Sequence, residues 1–204
     1  LKSALIMCFL RDMSADSAMQ TLEQALPWRE WIIGVGLDSD ERDNPPAKFA
    51  GVFERARTEG FLRTIHCDVD QQDSVAHIWQ TLDIGVDRID HGVNCLEDHA
   101  LVDEIKKRGL ALTVCPISNR YVATDLKAKQ IAKMLDLGLK VTVNSDDPAY
   151  FPGYMNENLI ATQQAVNLSR EQMLQLAVNA IEGSWLSQDE RAPYLSDLKN
   201  YVAQ

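Results

Sequence analysis

Short apolar runs and segments of helical periodicity alternate along almost the whole chain. Runs rich in β-branched or aromatic residues, bounded by polar or turn-forming residues, predict strands. These strands cover residues 3–10, 31–37, 62–67, 87–92, 110–115 and 139–144. Helical spacing predicts helices over residues 14–25, 47–59, 74–82, 96–108 and 127–137, and a helical remainder from about residue 156. Ser14 is the predicted N-cap of the first helix, and Gly60 is predicted to end the second.

Strands joined by helices of about ten residues indicate parallel βαβ units. Both an open doubly wound sheet and a closed (β/α)8 barrel contain such units. The barrel is favoured because chemically active residues stand at the C-terminal ends of several successive strands. The glycine-rich loops of dinucleotide and P-loop sites follow none of them. We therefore predict an α/β fold over residues 1–204, a partial (β/α)8 TIM-type barrel with about six of eight βα units and a helical C-terminal extension.

The composition is that of a soluble globular protein, with 46% hydrophobic and 25% charged residues. With 30 acidic and 20 basic residues the net charge is −10, which disfavours nucleic acids and anionic membranes as partners. The longest apolar run, residues 4–10, is too short to span a bilayer. The four cysteines are scattered, without a C-x-x-C pair. We predict reduced, buried thiols and a cytoplasmic protein.

Polar side chains that bind metals or protons end three of the predicted strands. His66 and His91 each close a short apolar run, and the last strand ends in Asp146 and Asp147. Adjacent acids at the end of a buried strand repel each other and lose hydration, so such a pair usually interacts with a cation or a proton. Neutral imidazole and carboxylate are common zinc ligands. The three strand ends therefore predict one metal site assembled from distant parts of the sequence.

Each of these residues also has a purely structural explanation. A histidine at a strand end can be hydrogen-bonded under a loop, and Asp-Asp-Pro is a common turn sequence. In the functional interpretation, one of Asp146 and Asp147 binds the metal and the other accepts a hydrogen bond from the substrate. His91 would then orient or deprotonate a metal-bound water, or stabilise the charge that develops when the water attacks.

Several other polar features predict ordinary structure. His77 and His99 lie in helical segments and are expected to be solvated. The acid-rich stretch 38–43 is most simply a solvated loop, although its position after a strand could also place it at the rim of a site. Residues 115–119 predict a rigid turn after a strand that Pro116 ends.

Four motifs in this chain form a highly specific ordered set. They are Val-Asn-Ser-Asp-Asp-Pro at 143–148, Arg-Ile-Asp-His-Gly at 88–92, Leu-Thr-Val-Cys-Pro-Ile-Ser-Asn at 112–119 and the strand-end His66. Together they resemble the adenosine/adenine deaminase family of the amidohydrolase superfamily, over about residues 2–186. The sequences at 35–39, 45–49 and 147–151 are most similar to the bacterial adenine deaminase branch.

The resemblance implies a (β/α)8 barrel that holds one Zn2+ at its C-terminal face. It matches His66 and Asp146 to zinc ligands, and His91 to the histidine that assists the hydrolytic water. Asp147 matches the acid that hydrogen-bonds the purine ring. The zinc would lower the pKa of its water, so that hydroxide attacks C6 of adenine, adenosine or an N6-substituted adenine and ammonia leaves.

The resemblance also implies a substrate edge near the second predicted strand. Gly36, Asp38 and Ser39 would approach the purine there. The partner is then a small-molecule purine; the oligomeric state has no signal in the sequence.

Two features depart from the family pattern. The family's opening His-x-His, which supplies two more zinc ligands, is absent, and we expect it upstream of Leu1. The chain is then the C-terminal part of a longer enzyme, and by itself it should bind zinc weakly and be inactive. The family has His-Ala-Gly-Glu where Val69 takes the place of the Glu. Asp68 or Asp70 could supply that proton, since strand alternation would place both on the side of His66.

Two other functions stay open at this point. Loss of the family Glu and of the His-x-His favours a catalytically degenerate paralogue that binds a purine or a partner protein. The altered His-Cys-Asp-Val-Asp stretch favours an amidohydrolase that acts on a different amide or amidine. Retention of the costly polar groups at the strand ends favours the deaminase.

Overall fold

A computed structural model describes residues 3–203 of the 204-residue chain. Residue 2, where the sequence resemblance begins, lies outside this range. The described part forms two compact units that meet in sequence between Arg108 and Gly109. The single domain expected from the sequence stays a prediction.

The first unit is a parallel sheet with a helix after each strand. Its strands are β1 (Leu5–Leu10), β2 (Ile32–Asp38), β3 (Leu62–Cys67) and β4 (Arg88–His91), and each pairs in parallel with the next. Its helices are α1 (Ala15–Ala25), α2 (Ala50–Thr58), α3 (Ser74–Ile84) and α4 (His99–Arg108). Short 3₁₀ segments cover Leu26–Trp28, Pro46–Phe49 and Val93–Glu97. The C-terminal ends of all four strands therefore lie at one edge of the sheet.

The second unit contains a parallel strand pair and a run of helices. Strands β5 (Ala111–Val114) and β6 (Lys140–Val143) pair in parallel. The helices are α5 (Pro116–Val122), α6 (Ala128–Asp136), α7 (Met155–Val166), α8 (Arg170–Glu182) and α9 (Gln188–Val202). The last three are the helical C-terminal part that the sequence predicts.

Local sequence signals account for the ends of several helices. Ser14 caps α1 as predicted, because its side chain accepts a hydrogen bond from the backbone N–H of Ser17 at 3.0 Å. Ser169 and Ser187 each form a capping box with the residue three positions later. Gly60, predicted to end the helix of residues 47–59, has a φ of 84°, which a β-carbon would disfavour.

The apolar faces of the strands and helices form the cores of the two units. In the first unit, the rings of Phe9 and Phe53 pack edge to face with centroids 5.8 Å apart, joining β1 to α2. In the second, a β-carbon on Gly183 would lie 2.8 Å from the β-carbon of Ala111, so α8 packs closely on the strand pair. Asn179 on α8 donates a hydrogen bond to the carbonyl of Val141 at 2.8 Å. In each unit, therefore, a helix later in the sequence packs against the strands and stabilises them.

Two local expectations differ from the structure. Residues 116–122 form α5 rather than a rigid turn, because proline is well tolerated in the first turn of a helix. Cys8 is exposed, whereas Cys67, Cys95 and Cys115 are buried free thiols. Burial, with a smaller contribution from Glu41, raises the pKa of Cys67 to about 12.

Across residues 3–203, no helix combines the length and the apolar character needed to cross a membrane.

Candidate functional site

The structure brings two of the predicted site histidines into contact. His66 lies in β3, and His91 is the last residue of β4. Their imidazole rings pack edge to face, with centroids 4.4 Å apart and an interplanar angle of 73°. The parallel register pairs His66 with Asp90 and Cys67 with His91, so the contact lies at the C-terminal ends of the two strands.

A buried glutamate stands behind His66. Oε1 of Glu41 lies 2.9 Å from Nδ1 of His66 and 2.6 Å from Nη1 of Arg11. The side chains of Glu41 and Arg11 are 3% and 0% exposed. The sequence-based prediction of a solvated loop over 38–43 is therefore wrong for Glu41. Its burial follows from a contact with Arg11, which directly follows β1 and shares with the histidines the pattern of a polar side chain at the end of an apolar run.

The charges of this cluster define the protonation of His66. Burial by itself would lower the pKa of His66, but the hydrogen bond and charge of Glu41, with the charges of Asp38 and Asp68, raise it above its ordinary value. Burial likewise acts to raise the pKa of Glu41, but the hydrogen bond of His66 and the charge of Arg11 bring that pKa below its ordinary value. Glu41 is therefore a carboxylate at neutral pH, and it accepts a hydrogen bond from Nδ1–H of His66.

This arrangement fits a metal ligand. When Nδ1 of an imidazole donates to a carboxylate, the neutral ring carries its lone pair on Nε2. Histidine ligands of zinc commonly have such a carboxylate behind them. The hydrogen bond between His66 and Glu41 thus leaves Nε2 of His66 suited to bind a zinc ion.

A second histidine borders the same carboxylate. Nδ1 of His77, on α3, lies 3.7 Å from Oε2 of Glu41. His77 is 8% exposed, so the expectation that it is solvated is wrong. It is buried because α3 follows β3 and packs against it. His99, at the start of α4, is exposed as predicted.

The two acids proposed to donate a proton lie outside the strand. Because β3 ends at Cys67, the alternation of side chains does not extend to Asp68 and Asp70. The carboxylate of Asp68 accepts a hydrogen bond from the backbone N–H of Val69 at 2.7 Å. Its own N–H donates to Oε1 of Glu41 at 2.9 Å, which connects the loop to the histidine cluster.

Asp70 is held by an asparagine that the sequence analysis did not single out. The N–H of Asp70 donates to Oδ1 of Asn94 at 2.9 Å, and Nδ2 of Asn94 donates to the carboxylate of Asp70 at 3.1 Å. Asn94 also donates to Glu97. Asn94 lies three residues after His91 in the sequence. This proximity to a predicted site residue is the signal by which Asn94 could have been identified as part of the candidate site.

The three residues predicted near the purine lie in and after β2. Gly36 is buried, and a β-carbon on it would lie 2.6 Å from Sγ of Cys8 and 3.3 Å from Cγ2 of Thr64. Asp38 ends β2, and its carboxylate accepts a hydrogen bond from the N–H of Ser39 at 2.7 Å. Asp38 and Ser39 are both exposed to solvent.

In the second unit, the two adjacent acids follow β6. The carbonyl of Asp147 accepts hydrogen bonds from the N–H groups of Tyr150 and Phe151, both at 2.9 Å. The backbone of Asp-Asp-Pro therefore forms a turn, as the structural explanation requires. The pairing of Asp146 with His66 at one metal stays a prediction.

Four of the candidate residues have a left-handed backbone. Ser39, Asp70, His91 and Asp146 have φ values of 86°, 58°, 58° and 55°. A residue with a β-carbon is uncommon in this left-handed region, and such residues cluster at active sites and ligand clamps. The same backbone conformation occurs outside the candidate site, at Asp43, Asp73, Thr124, Lys127 and Asn167.

These features define a class of protein. A parallel α/β fold with polar, strained residues after the strands, and with a histidine backed by a carboxylate, is typical of metal-dependent hydrolases built on a (β/α)8 barrel. The adenosine deaminase family model matches residues 1–201. The chain therefore belongs to the adenosine deaminase family.

Individual relatives support the same assignment. The chain is 49% identical over 203 residues to an adenine deaminase from Hahella chejuensis, covering 98% of this chain and 60% of that protein. It matches the crystal structure of adenine deaminase from Arthrobacter aurescens with a TM-score of 0.92 and 39% identity, over 98% of this chain and 62% of that one.

A structure that contains a metal is similar as well. An amidohydrolase from Burkholderia ambifaria with bound zinc matches with a TM-score of 0.86 and 27% identity, over 98% of this chain and 58% of that one. The chain thus spans about 60% of the length of the curated relatives it matches. These likenesses confirm the predicted family and the predicted α/β fold, part of a TIM-type barrel.

Proposed function

We propose that this chain is part of a zinc-dependent enzyme that removes the amino group of an adenine-type purine by hydrolysis and releases ammonia. The observation that carries the proposal is the contact between His66 and His91 beside the ionised Glu41, in a chain 49% identical to an adenine deaminase. The substrate would be adenine, adenosine or an N6-substituted adenine.

His66 and Asp146 would hold the ion. Zinc, when bound, activates a water molecule as a nucleophile near neutral pH. Catalytic zinc has three or more protein ligands, so we expect further ligands from the part of the relatives' length that this chain does not span. One ion per site is expected.

The remaining residues would handle the water and the purine. His91 would take a proton from the attacking water, and Asp147 would accept a hydrogen bond from the purine ring. Gly36, Asp38 and Ser39 would lie along the purine edge. Gly36 and Asp38 lie in β2, and Ser39 turns the chain directly after the strand with a left-handed backbone.

The source of the ring proton is open between two acids. Val69 stands where the family has a glutamate, so Asp68 or Asp70 would protonate the purine nitrogen. Asp68 is connected through its N–H to Glu41, and Asp70 through Asn94 to the segment after His91.

The test uses the full protein that carries this chain. Zinc content and ammonia release from each of the three purines are measured, and one zinc with ammonia release supports the proposal. Asp146→Ala should lose the metal; an unchanged zinc stoichiometry would remove Asp146 from the ligand set. Asp68→Asn and Asp70→Asn are compared for turnover, and if neither lowers it, the proton has another source.

A degenerate paralogue is the second candidate, and the Val69 position favours it. Such a protein would bind adenine in calorimetry without ammonia release, with zinc present. Ammonia release from another amide or amidine, but from no purine, would instead support a different amidohydrolase. The net charge of −10 supports a small-molecule substrate over nucleic acid, and we propose a cytoplasmic location.

A further inference from the structure

We propose that Glu41 is a positioning residue whose buried carboxylate holds the imidazole of His66 in the tautomer and orientation that present Nε2 to a metal ion. The part of this inference that concerns the ion rests on the proposed function. The part that concerns the imidazole rests on contacts within the first unit alone.

Two hydrogen-bond donors and one guanidinium cation converge on one oxygen of Glu41. Oε1 is 2.6 Å from Nη1 of Arg11, 2.9 Å from Nδ1 of His66 and 2.9 Å from the backbone nitrogen of Asp68. Charge-assisted hydrogen bonds of this length are roughly twice as strong as neutral ones. The carboxylate is therefore fixed in place before any ligand arrives.

Arg11 fixes the histidine from a second direction. Its Nη1 also donates to the backbone carbonyl of His66 at 2.9 Å. The guanidinium thus contacts both the carboxylate and the backbone of the residue that the carboxylate orients. Arg11 follows β1, Glu41 follows β2 and His66 lies in β3, so three successive strands hold one ring.

The chemical consequence concerns the imidazole nitrogens. A neutral imidazole exists as two tautomers, and only the one protonated at Nδ1 carries a lone pair at Nε2. An ionised acceptor at Nδ1 selects that tautomer and increases the basicity of Nε2. Loss of such a carboxylate typically weakens metal binding by about 10–100-fold.

Glu41 also neutralises a buried cation, and the test must separate this effect. In Glu41→Gln, the buried charge of Arg11 is left uncompensated, which destabilises the fold. The double variant Arg11→Met/Glu41→Leu removes both charges and the hydrogen-bond acceptor of Nδ1, and it keeps the side-chain volumes similar. Asp40→Asn is the matched control, because it removes one carboxylate from the adjacent position, where Asp40 pairs with Arg42 in solvent.

The first measurement is zinc affinity by competition with a chelator, on the full protein and its variants. The wild type and Asp40→Asn should bind equally. The double variant should fold cooperatively and bind zinc about 10–100-fold more weakly. A cooperatively folded double variant with wild-type affinity would overturn the proposal.

The second measurement does not depend on zinc or on turnover. Nitrogen-15 NMR of the metal-free protein, at an alkaline pH where the ring is neutral, reports the tautomer of His66, assigned with His66→Gln. The wild type should carry the proton on Nδ1, and the double variant should lose this preference. A proton on Nε2 in the wild type would refute the inference. Failure of the wild type to bind zinc would refute the proposed function and leave the tautomer test intact.

Discussion

The imidazoles of His66 and His91 pack edge to face, with ring centroids 4.4 Å apart. The two residues come from neighbouring parallel strands, and the left-handed backbone at His91 ends β4 at this contact. Nδ1 of His66 is backed by the carboxylate of Glu41. The proposed function therefore gives the two rings different roles, one as a metal ligand and the other as a base.

Replacing His91 should separate these roles. In the full protein, His91→Ala should keep its zinc and lose about 100–10,000-fold in kcat, the usual contribution of a general base. Metal analysis and ammonia release measure the two effects. His99→Ala, on the exposed surface of α4, is the control and should change neither. Loss of zinc from His91→Ala would make His91 a ligand instead.

A close contact between β1 and β2 should make Gly36 intolerant of a side chain. A β-carbon there would lie 2.6 Å from Sγ of Cys8. We expect Gly36→Ala to lower the free energy of unfolding by about 1–3 kcal/mol, as overpacking does. Urea denaturation measures this loss.

Two further variants test the cause of the Gly36 effect. Cys8→Ala/Gly36→Ala removes the sulfur and should recover most of the loss. Gly51→Ala is the control, since nothing lies within 4 Å of its β-carbon position and it is in α2, where alanine is favoured by about 0.5–1 kcal/mol. An equal loss in the single and double variants would exclude the clash as the cause.

A buried asparagine should be essential to the second unit. Oδ1 of Asn158 accepts from the N–H of Ile117 at 2.9 Å, and its Nδ2 donates to the carbonyls of Gly153 and Tyr154. Asn158→Leu leaves the buried N–H of Ile117 without its acceptor, so we expect a loss of about 1–3 kcal/mol in unfolding free energy. Gln164→Leu, exposed on the same helix, should be near neutral in the same urea titration. Equal effects would contradict this assignment.

The carboxylate of Asp98 should stabilise the first unit in a pH-dependent way. The hydrogen bond from Nε1 of Trp79, at 2.9 Å, and those from the N–H groups of Ala100 and Leu101 lower the pKa of Asp98. A carboxyl group with a lowered folded-state pKa contributes stability above its unfolded pKa, about 3.9. That contribution disappears as the pH falls through the folded value.

Thermal unfolding across pH measures the Asp98 contribution. Asp98→Ala should melt below the wild type by a constant interval at pH values well above about 4, and the interval should narrow as the pH falls further. Asp103→Ala, exposed on α4, should melt with the wild type throughout. An interval that widens in acid would have the wrong sign for this account.

Much of the fold was predictable because strands and helices have different local periods. Strand β3 was predicted over the same residues that it occupies, and the helix after Ser14 begins at its predicted cap. Helix α5 was missed because proline both ends a strand and begins a helix, and seven residues are too few for a helical period to stand out.

The sequence alone determined the order of the strands and helices, the family, and the candidate residues at the strand ends, since each depends on residues close together in the chain. The tertiary structure decided that Glu41 is buried and that Arg11 and His66 meet it. Those contacts join residues 25 and 30 positions apart. The sequence of a polar loop is the same whether its carboxylate is solvated or buried. Only the packing of the three strands removes water from Glu41 and makes its carboxylate an acceptor for His66.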